Sequence, residues 1–260
     1  MNTFLDPTAF PGPMRLRRPE RESFVSEASF NGHIVFSNWS RAEVEKLLPP
    51  DLELCANISA TPDIHPVVFI FGDQAQGAML FGGFTFSLGV QYQELGVAVP
   101  FVKHRRDPLI HTFMARMYSS YDIATWNGNF HYGFSKVMAK LGWRGPVYLV
   151  TAEDGALLLH ATVADSGEWL SGDRCTLPNF AAVQWIFSLP VVGRRANGIY
   201  VRSYFGWDFG AAQVRTADAC GSIDAPFLPG LTPQDWHDVS AGTFEVRNMI
   251  WRLSWPSALL

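Results

Sequence analysis

Phe130-His131-Tyr132-Gly133-Phe134-Ser135-Lys136-Val137-Met138-Ala139-Lys140-Leu141-Gly142-Trp143 is the stretch from which the rest of the chain is read. The twenty basic residues include only four lysines, Lys46, Lys103, Lys136 and Lys140. Two of them fall within five residues here, among aromatic and apolar neighbours. A primary amine condenses with a ketone to an imine and a guanidinium does not. Apolar company also disfavours the charged form of an amine. Lys136 is therefore the candidate nucleophile. The plainer alternative is a solvated lysine on an amphipathic turn.

Outward from this stretch, the chain reads as strands. Ala28 to Phe36, Pro66 to Phe71, Phe81 to Glu94, Leu95 to Phe101, His111 to Tyr118, Val147 to Thr151 and Ala156 to Val163 are rich in β-branched and aromatic residues. Ala181 to Leu189, Ile199 to Tyr204 and Ala241 to Trp255 extend the pattern. Glycines inside these runs, such as Gly82, Gly83 and Gly89, predict bulges or bends. Ser40-Arg41-Ala42-Glu43 is a capping box, opening a helix that Pro49-Pro50 must end, with Val44, Leu47 and Leu48 toward the core. The expected fold is α+β and mainly β: one domain, residues 25–260, built on a strongly curved, barrel-like antiparallel sheet with a few short helices and an internal cavity. Residues 1–24, with four prolines and Arg15, Arg17, Arg18 and Arg21, read as an extended N-terminal arm.

Composition narrows the function. The chain is 48% hydrophobic, with 20 Phe and 9 Trp, enough for a sizeable core. A net charge of −4 leaves no nucleic-acid footprint. No apolar run is long enough for a membrane helix and no secretory signal pattern opens the chain, so neither a membrane nor a nucleic-acid partner is expected. Three scattered cysteines, Cys55, Cys175 and Cys220, without a CxxC, point to a reducing compartment, and a cytoplasmic location is expected. His104-Arg105-Arg106-Asp107 and Asp208-Phe209-Gly210 lack the glycine-rich loop and strand lysine of a kinase. Gly133-Phe134-Ser135-Lys136-Val137 misses the second glycine of a nucleophile elbow. The seven histidines form no pair at ligand spacing, so no metal is expected.

Four segments in order resemble the acetoacetate decarboxylase family. Gly128-Asn129-Phe130-His131-Tyr132-Gly133-Phe134-Ser135-Lys136-Val137-Met138 is similar to its active-site run, which reads roughly G-R-E-x-x-x-[YF]-P-K-K-[LM]. Leu48-Pro49-Pro50-Asp51-Leu52-Glu53-Leu54 is similar to its L-P-x-x-L-E-x. Tyr92-Gln93-Glu94 with Val99-Pro100 is similar to its Y-x-E…[IV]-P strand, and Leu177-Pro178-Asn179-Phe180 to its R-P-N-[YF] segment. The resemblance spans roughly residues 30 to 190. It implies a cofactor-free Schiff-base enzyme in which Lys136 forms an imine with a substrate ketone, Glu94 positions substrate or shuttles protons, and the chain assembles as a homo-oligomer. Tyr92, on the same strand face as Glu94, is expected to pack in the core or wall the substrate. Tyr132, Phe134, Val137 and Lys140 are further candidates for substrate contact.

The departures from the family pattern set expectations of their own. Val137 stands where the family has a second lysine and Ser135 where it has proline. Phe30 falls where the family places an arginine that meets the substrate carboxylate, so Phe30 is expected at the substrate. Asn129 and Phe130 replace an Arg-Glu pair. Ser135 as an N-cap predicts a short helix with Lys136 in its first turn. Imine chemistry near neutral pH requires the amine's usual pKa of about 10.4 to fall by roughly 3 units, about 4–5 kcal/mol. A helix dipole supplies only about 0.3–1 kcal/mol, and Lys140 one turn on would add a little if it pointed inward. Burial in an apolar pocket must supply most of the shift. The function expected from the sequence is a lysine-imine lyase acting on a small keto acid or ketone, of decarboxylase or aldolase-dehydratase type. The alternative is a non-catalytic small-molecule binder, or a cyclase using the same apolar cavity as a template.

Overall fold

A computed structural model describes residues 24–55, 61–224 and 226–259. The expected N-terminal arm lies outside the described residues except for Phe24, which opens the first strand. The strands in chain order are β1 (Phe24–Ser40), β2 (Leu52–Leu54), β3 (Ile64–Phe81), β4 (Phe84–Ser87), β5 (Tyr92–His104), β6 (Ile110–Ser119), β7 (Lys136–Met138), β8 (Lys140–Arg144) and β9 (Val147–Thr151). They continue with β10 (Leu157–Asp165), β11 (Leu170–Ser171), β12 (Val191–Arg194), β13 (Tyr200–Ser203), β14 (Phe205–Asp208), β15 (Gln213–Ile223), β16 (Gln234–Ser254) and β17 (Ser257–Ala258). Three short helices join them: α1 (Arg41–Leu47), α2 (Asp122–Asn127), which runs on as a π-helical turn over Gly128–Tyr132, and α3 (Phe180–Ile186).

All the strands belong to one strongly curved, mainly antiparallel sheet, as its composition predicts. From β8 the pairing runs through β9, β10, β15, β16, β1, β3 and β5 to β6. The sheet is not closed into a barrel. Its two ends approach each other at residues 136–144: β7 pairs parallel with β6, and β8 pairs antiparallel with β9. Bulges bend the long strands, with register shifts in β1 between Phe30 and Gly32 and in β5 between Val97 and Ala98. Gly32 and Gly72 face each other where β1 crosses β3, and a Cβ on Gly72 would come 2.3 Å from the Asn31 carbonyl oxygen.

The two sides of β5 separate two apolar clusters. Leu95, Val97 and Val99 pack with Phe69, Phe71, Tyr148 and Trp236. Ala98 packs on the other side with Phe30, Met114, Phe134, Phe180 and Phe244. This follows from the two-residue period of a strand.

Two sequence expectations are corrected. Phe81 to Glu94 is not one strand. Gly82 and Gly83 both take positive φ and turn β3 back into β4, as a two-residue hairpin loop requires, and the sheet resumes only at Tyr92. Ala181 to Leu189 is not a strand either. Phe180, Val183 and Ile186 are the buried residues of α3, at a helical spacing that a short apolar run leaves ambiguous. The capping box forms as expected: the Ser40 hydroxyl accepts the Glu43 N–H at 3.3 Å and donates to its carboxylate at 2.7 Å. Val44 of α1 is fully buried, and Leu47 and Leu48 pack on the same cluster.

Two of the histidines serve the core. His65, its Nε2 against the Pro100 carbonyl oxygen at 2.8 Å, is brought down to about 4 by burial. Burial brings His111 down to about 4 as well; its Nε2 lies 3.3 Å from Asp107 without forming a hydrogen bond. An unfolded chain takes up both protons near pH 6.5, whereas the folded one resists until about pH 4. Stability is therefore fullest above pH 6.5 and declines as the pH falls toward 4, by about 3 kcal/mol per histidine. Urea midpoints should drop steeply over that window, and a flat profile would contradict neutral core histidines.

Candidate active site

The site begins with β5. Tyr92, Glu94, Gly96 and Ala98, two residues apart, all line one cavity. Gln93, between the first two, points the other way. It bonds the Asp73 carboxylate, and its Oε1 accepts the Tyr148 hydroxyl at 3.1 Å. The strand is thus anchored on its far face while Glu94 is presented on the near one. Ile70 and Gln74 of β3 extend the wall on one side, and Thr112, Met114 and Met117 of β6 on the other. The end of α3 and the aromatic side chains of Phe205, Trp207 and Trp251 close over it.

Lys136 enters this cavity from β7. Its side chain is 8% exposed and that of Glu94 is 9%. The amine Nζ donates a short hydrogen bond to Glu94 Oε1. Among the lining residues Lys136 is the one cation and Glu94 the one anion, so the pair neutralises itself inside apolar walls. The cavity holds about 80 Å³.

The backbone around Lys136 is not the expected helix start. Ser135 has φ +50°, no side-chain cap forms, and residues 136–138 are strand. The physical reason is Asn129. Its side-chain oxygen accepts the Lys136 N–H at 2.6 Å and its Nδ2 donates to the Lys136 carbonyl at 2.9 Å. The amide thereby satisfies both backbone groups of the lysine in an extended conformation, while β7 pairs with Met117–Ser119 on its other side. The π-helical turn ahead of it brings Gly128 against the lysine stem. A Cβ at Gly128 would lie 2.6 Å from Lys136 Cδ and 2.7 Å from Cε. Gly133, at φ +65°, makes the sharp exit, so close to Arg194 that a Cβ would come 2.5 Å from its carbonyl carbon.

The structure brings together Lys136, Glu94, Tyr92 and Phe134 of the residues named from the sequence. It does not bring in the other four. Val137, next to Lys136 on a strand, faces the opposite side and packs on the Phe69 cluster. Lys140 is exposed on β8, beyond the sheet seam, and adds no charge to the cavity. Phe30 is 1% exposed and sits in the core behind the cavity, its ring against Gly32. Tyr132 is equally buried, stacks behind Phe134 at 5.3 Å, and is pushed up to about 12 by burial. Tyr92 does border the cavity. Burial, and secondarily the Glu94 charge, push its phenol well above the ordinary tyrosine range, so it stays protonated and able to donate.

Sequence reasoning missed Gln74, Thr112 and Trp251. The Trp251 indole donates to Gln74 Oε1 at 2.5 Å across the cavity wall. Nothing in the local sequence signals this pairing, because the partners are 177 residues apart. Gly96 and Ala98 were legible from the two-residue period running on from Tyr92 and Glu94. Among the described residues, one cluster could offer three ligand atoms to a cation: His33, Asp165 and Glu245. Arg215 reaches Asp165 at 2.9 Å and also binds Glu245, and Arg247 reaches Glu245 at 2.9 Å, so the carboxylates are already engaged. Burial holds His33 below its ordinary range despite the Asp165 hydrogen bond. Among the described residues, no helix is long and apolar enough to cross a membrane.

No protein-family model matches the chain, and no curated protein matches it. Solved structures do. An acetoacetate decarboxylase from Legionella pneumophila is 15% identical, with a TM-score of 0.57 over 97% of this chain and 93% of that one. The enduracididine biosynthesis enzyme MppR, solved with the condensation product of pyruvate and imidazole 4-carboxaldehyde, is 12% identical, with a TM-score of 0.56 over 95% and 92%. An acetoacetate decarboxylase-like enzyme from Sphingomonas wittichii is 14% identical, with a TM-score of 0.52 over 91% and 93%. The chain has the fold of the acetoacetate decarboxylase-like enzymes.

Gly128→Ala should displace a flexible side chain rather than the backbone. Lys136 in the native chain should resist acetylation while exposed Lys140 reacts. In the variant, Lys136 labelling should rise severalfold with the fold retained. Unchanged labelling, read by peptide mass, would show that the glycine is not what seats the lysine.

Proposed function

We propose that this protein is a cofactor-free lyase that forms a Schiff base between Lys136 and a small ketone or keto acid. Its chemistry is of the aldolase-dehydratase or decarboxylase type. The observation that carries the reading is the lysine amine, buried in an apolar cavity and hydrogen-bonded to a buried carboxylate, on this fold. A structural ion pair has no need of an adjoining cavity, and here both partners line one.

The chemistry follows from the pair. Glu94 takes a proton from the Lys136 ammonium, and the neutral amine adds to the substrate carbonyl carbon. A second proton passes from the added nitrogen to the carbonyl oxygen to make a hydroxyl, Glu94 returns the first proton to that hydroxyl, water leaves, and a positively charged iminium remains beside the Glu94 carboxylate. The iminium draws electrons from the adjacent carbon. Glu94 can remove a proton there to give an enamine that attacks a second carbonyl, forming a carbon–carbon bond. In reverse, a β-hydroxy group gives up its proton, the carbon–carbon bond breaks, and its electron pair neutralises the iminium. In the decarboxylase variant, carbon dioxide leaves and its bonding electrons take the same path. The Tyr92 phenol, protonated and on the Glu94 face, is suited to donate to a substrate oxygen.

The aldol branch is favoured by charge. No arginine lines the cavity, Phe30 lies outside it, and Glu94 would repel a second carboxylate. MppR, solved with the condensation product of pyruvate and imidazole 4-carboxaldehyde, has the same fold.

Borohydride added with ketones should trap an adduct at Lys136 whose mass is that of the ketone less one oxygen. Lys136→Arg keeps the charge and should trap nothing. An unmodified mass across a broad ketone panel would sink the proposal. Product formation surviving in Lys136→Ala would instead point to a cavity acting as a template. Glu94→Gln keeps an acceptor but not a base, and should slow trapping by about 10²–10⁴-fold. A rate within a few-fold of the native chain would remove Glu94 from the proton transfers.

A further inference from the structure

The cavity wall contains a polar residue that the imine chemistry does not use. Thr112 is 6% exposed and borders the cavity, while its hydroxyl oxygen is itself buried and has no hydrogen-bond partner among the described residues, so that a turn about the side-chain torsion is what would bring it to the cavity. Other buried polar atoms without partners belong to His33, His111, Arg116, Tyr200, Arg202 and Trp236, none of which lines the cavity. The Thr112 backbone is fully employed: its N–H donates to the Pro190 carbonyl at 2.9 Å, beside the parallel pairing with Val191. Only the side chain is unanswered. A buried hydroxyl without a partner carries an uncompensated desolvation penalty, and valine would fill the same shape without it.

Its place along the strand gives it a direction. Lys136 pairs with Met117 on β6, five residues from Thr112. At about 3.3 Å per residue that is roughly 16 Å along the strand. Between the two on β6 lies Met114, with Ala98 opposite it on β5, and both line the cavity. The Met114 methyl occupies the space over Gly96, where a Cβ would come 3.0 Å from it. The cavity therefore has a polar, reactive end at Lys136, Glu94, Tyr92 and Gln74 and a mainly apolar remainder to which Thr112 brings a hydroxyl, with no charge beyond the Lys136–Glu94 pair.

We propose that Thr112 selects the substrate by hydrogen-bonding the far oxygen of a slender, neutral carbonyl compound whose ketone is held at Lys136. The distal group is a hydroxyl or a carbonyl, because a threonine hydroxyl both donates and accepts. A distal carboxylate would meet no cation there. The placing of the ketone rests on the imine reading, and the role of Thr112 is separable from it.

The test uses a homologous series of unbranched methyl ketones, each with and without a terminal hydroxyl. In the native chain, the hydroxylated member of the best-fitting pair should bind about tenfold or more tightly than its plain partner, in both thermal shift and borohydride trapping. In Thr112→Val that ratio should fall to about one. The ligand-free variant should melt at the same temperature as the native chain or higher, because an unanswered hydroxyl has been removed. A hydroxyl satisfied by the fold itself would instead lower the melting temperature and leave the ratio unmoved, which would overturn the proposal. So would a native ratio near one, or a series of which no member binds. The Lys136→Ala chain, read by thermal shift, separates the two claims. A ratio that persists there while the native chain traps nothing discards the imine and keeps Thr112. Trapping without a ratio does the reverse.

Discussion

The arrangement of this molecule depends on one contact, the buried hydrogen bond between Lys136 and Glu94. Removing two opposite charges from water carries a penalty of several kcal/mol for each, and their attraction offsets it only if the geometry is held. Much of the surrounding structure holds it. Glu94 is fixed because β5 is anchored on its other face through Gln93, Asp73 and Tyr148. Lys136 is fixed because Asn129 grips its N–H and its carbonyl together. The lysine stem has a slot because Gly128 has no side chain to fill it.

The position of the lysine in the sheet gives this contact a second role. Residues 136–144 lie where the two ends of the curved sheet approach each other, pairing with β6 at one end and β9 at the other. A residue in such a seam is surrounded by long-range pairings rather than by a local turn. The side chain directed inward therefore shares its cavity with residues from distant parts of the chain, including Gln74 and Trp251. The seam also explains why Val137 and Lys140 leave the site although they are close in sequence. On a strand the next residue faces away, and beyond Ala139 the chain belongs to the β9 ladder.

The same alternation assigns the two faces of β5 to different tasks. Leu95, Val97 and Val99 build a dry core, while Tyr92, Glu94, Gly96 and Ala98 line the cavity. The cavity is small, apolar and charge-neutral in sum. That is what a lysine-imine centre needs if water is to be kept from the reacting carbon, and it is a poor match for a doubly charged ligand. Substitutions at the positions where the resemblance breaks, Phe30 and Val137, fall outside the cavity.

The sequence by itself determined the mainly β architecture, the α1 cap at Ser40 and the naming of Lys136 and Glu94 as suspects, but not that the two face each other. These rest on local signals: β-branched runs, the Ser-x-x-Glu spacing, the scarcity of lysine and an ordered set of motifs. It also made Tyr92 and Glu94 share a face, because strand parity is local. It misplaced Phe30, Tyr132, Val137 and Lys140, and it read a helix at Ser135. Only the tertiary structure decided these. Whether residue 135 starts a helix or a strand depended on an amide seven residues from Lys136 and on a ladder partner in β6, neither of which local propensity contains. Whether an aromatic residue walls a cavity or lies behind it depended on curvature set by bulges and by the Gly32–Gly72 crossing. The unanswered hydroxyl of Thr112 could be seen only after every neighbour had been placed, because an unmet hydrogen bond is a property of the packed molecule and not of any stretch of its sequence.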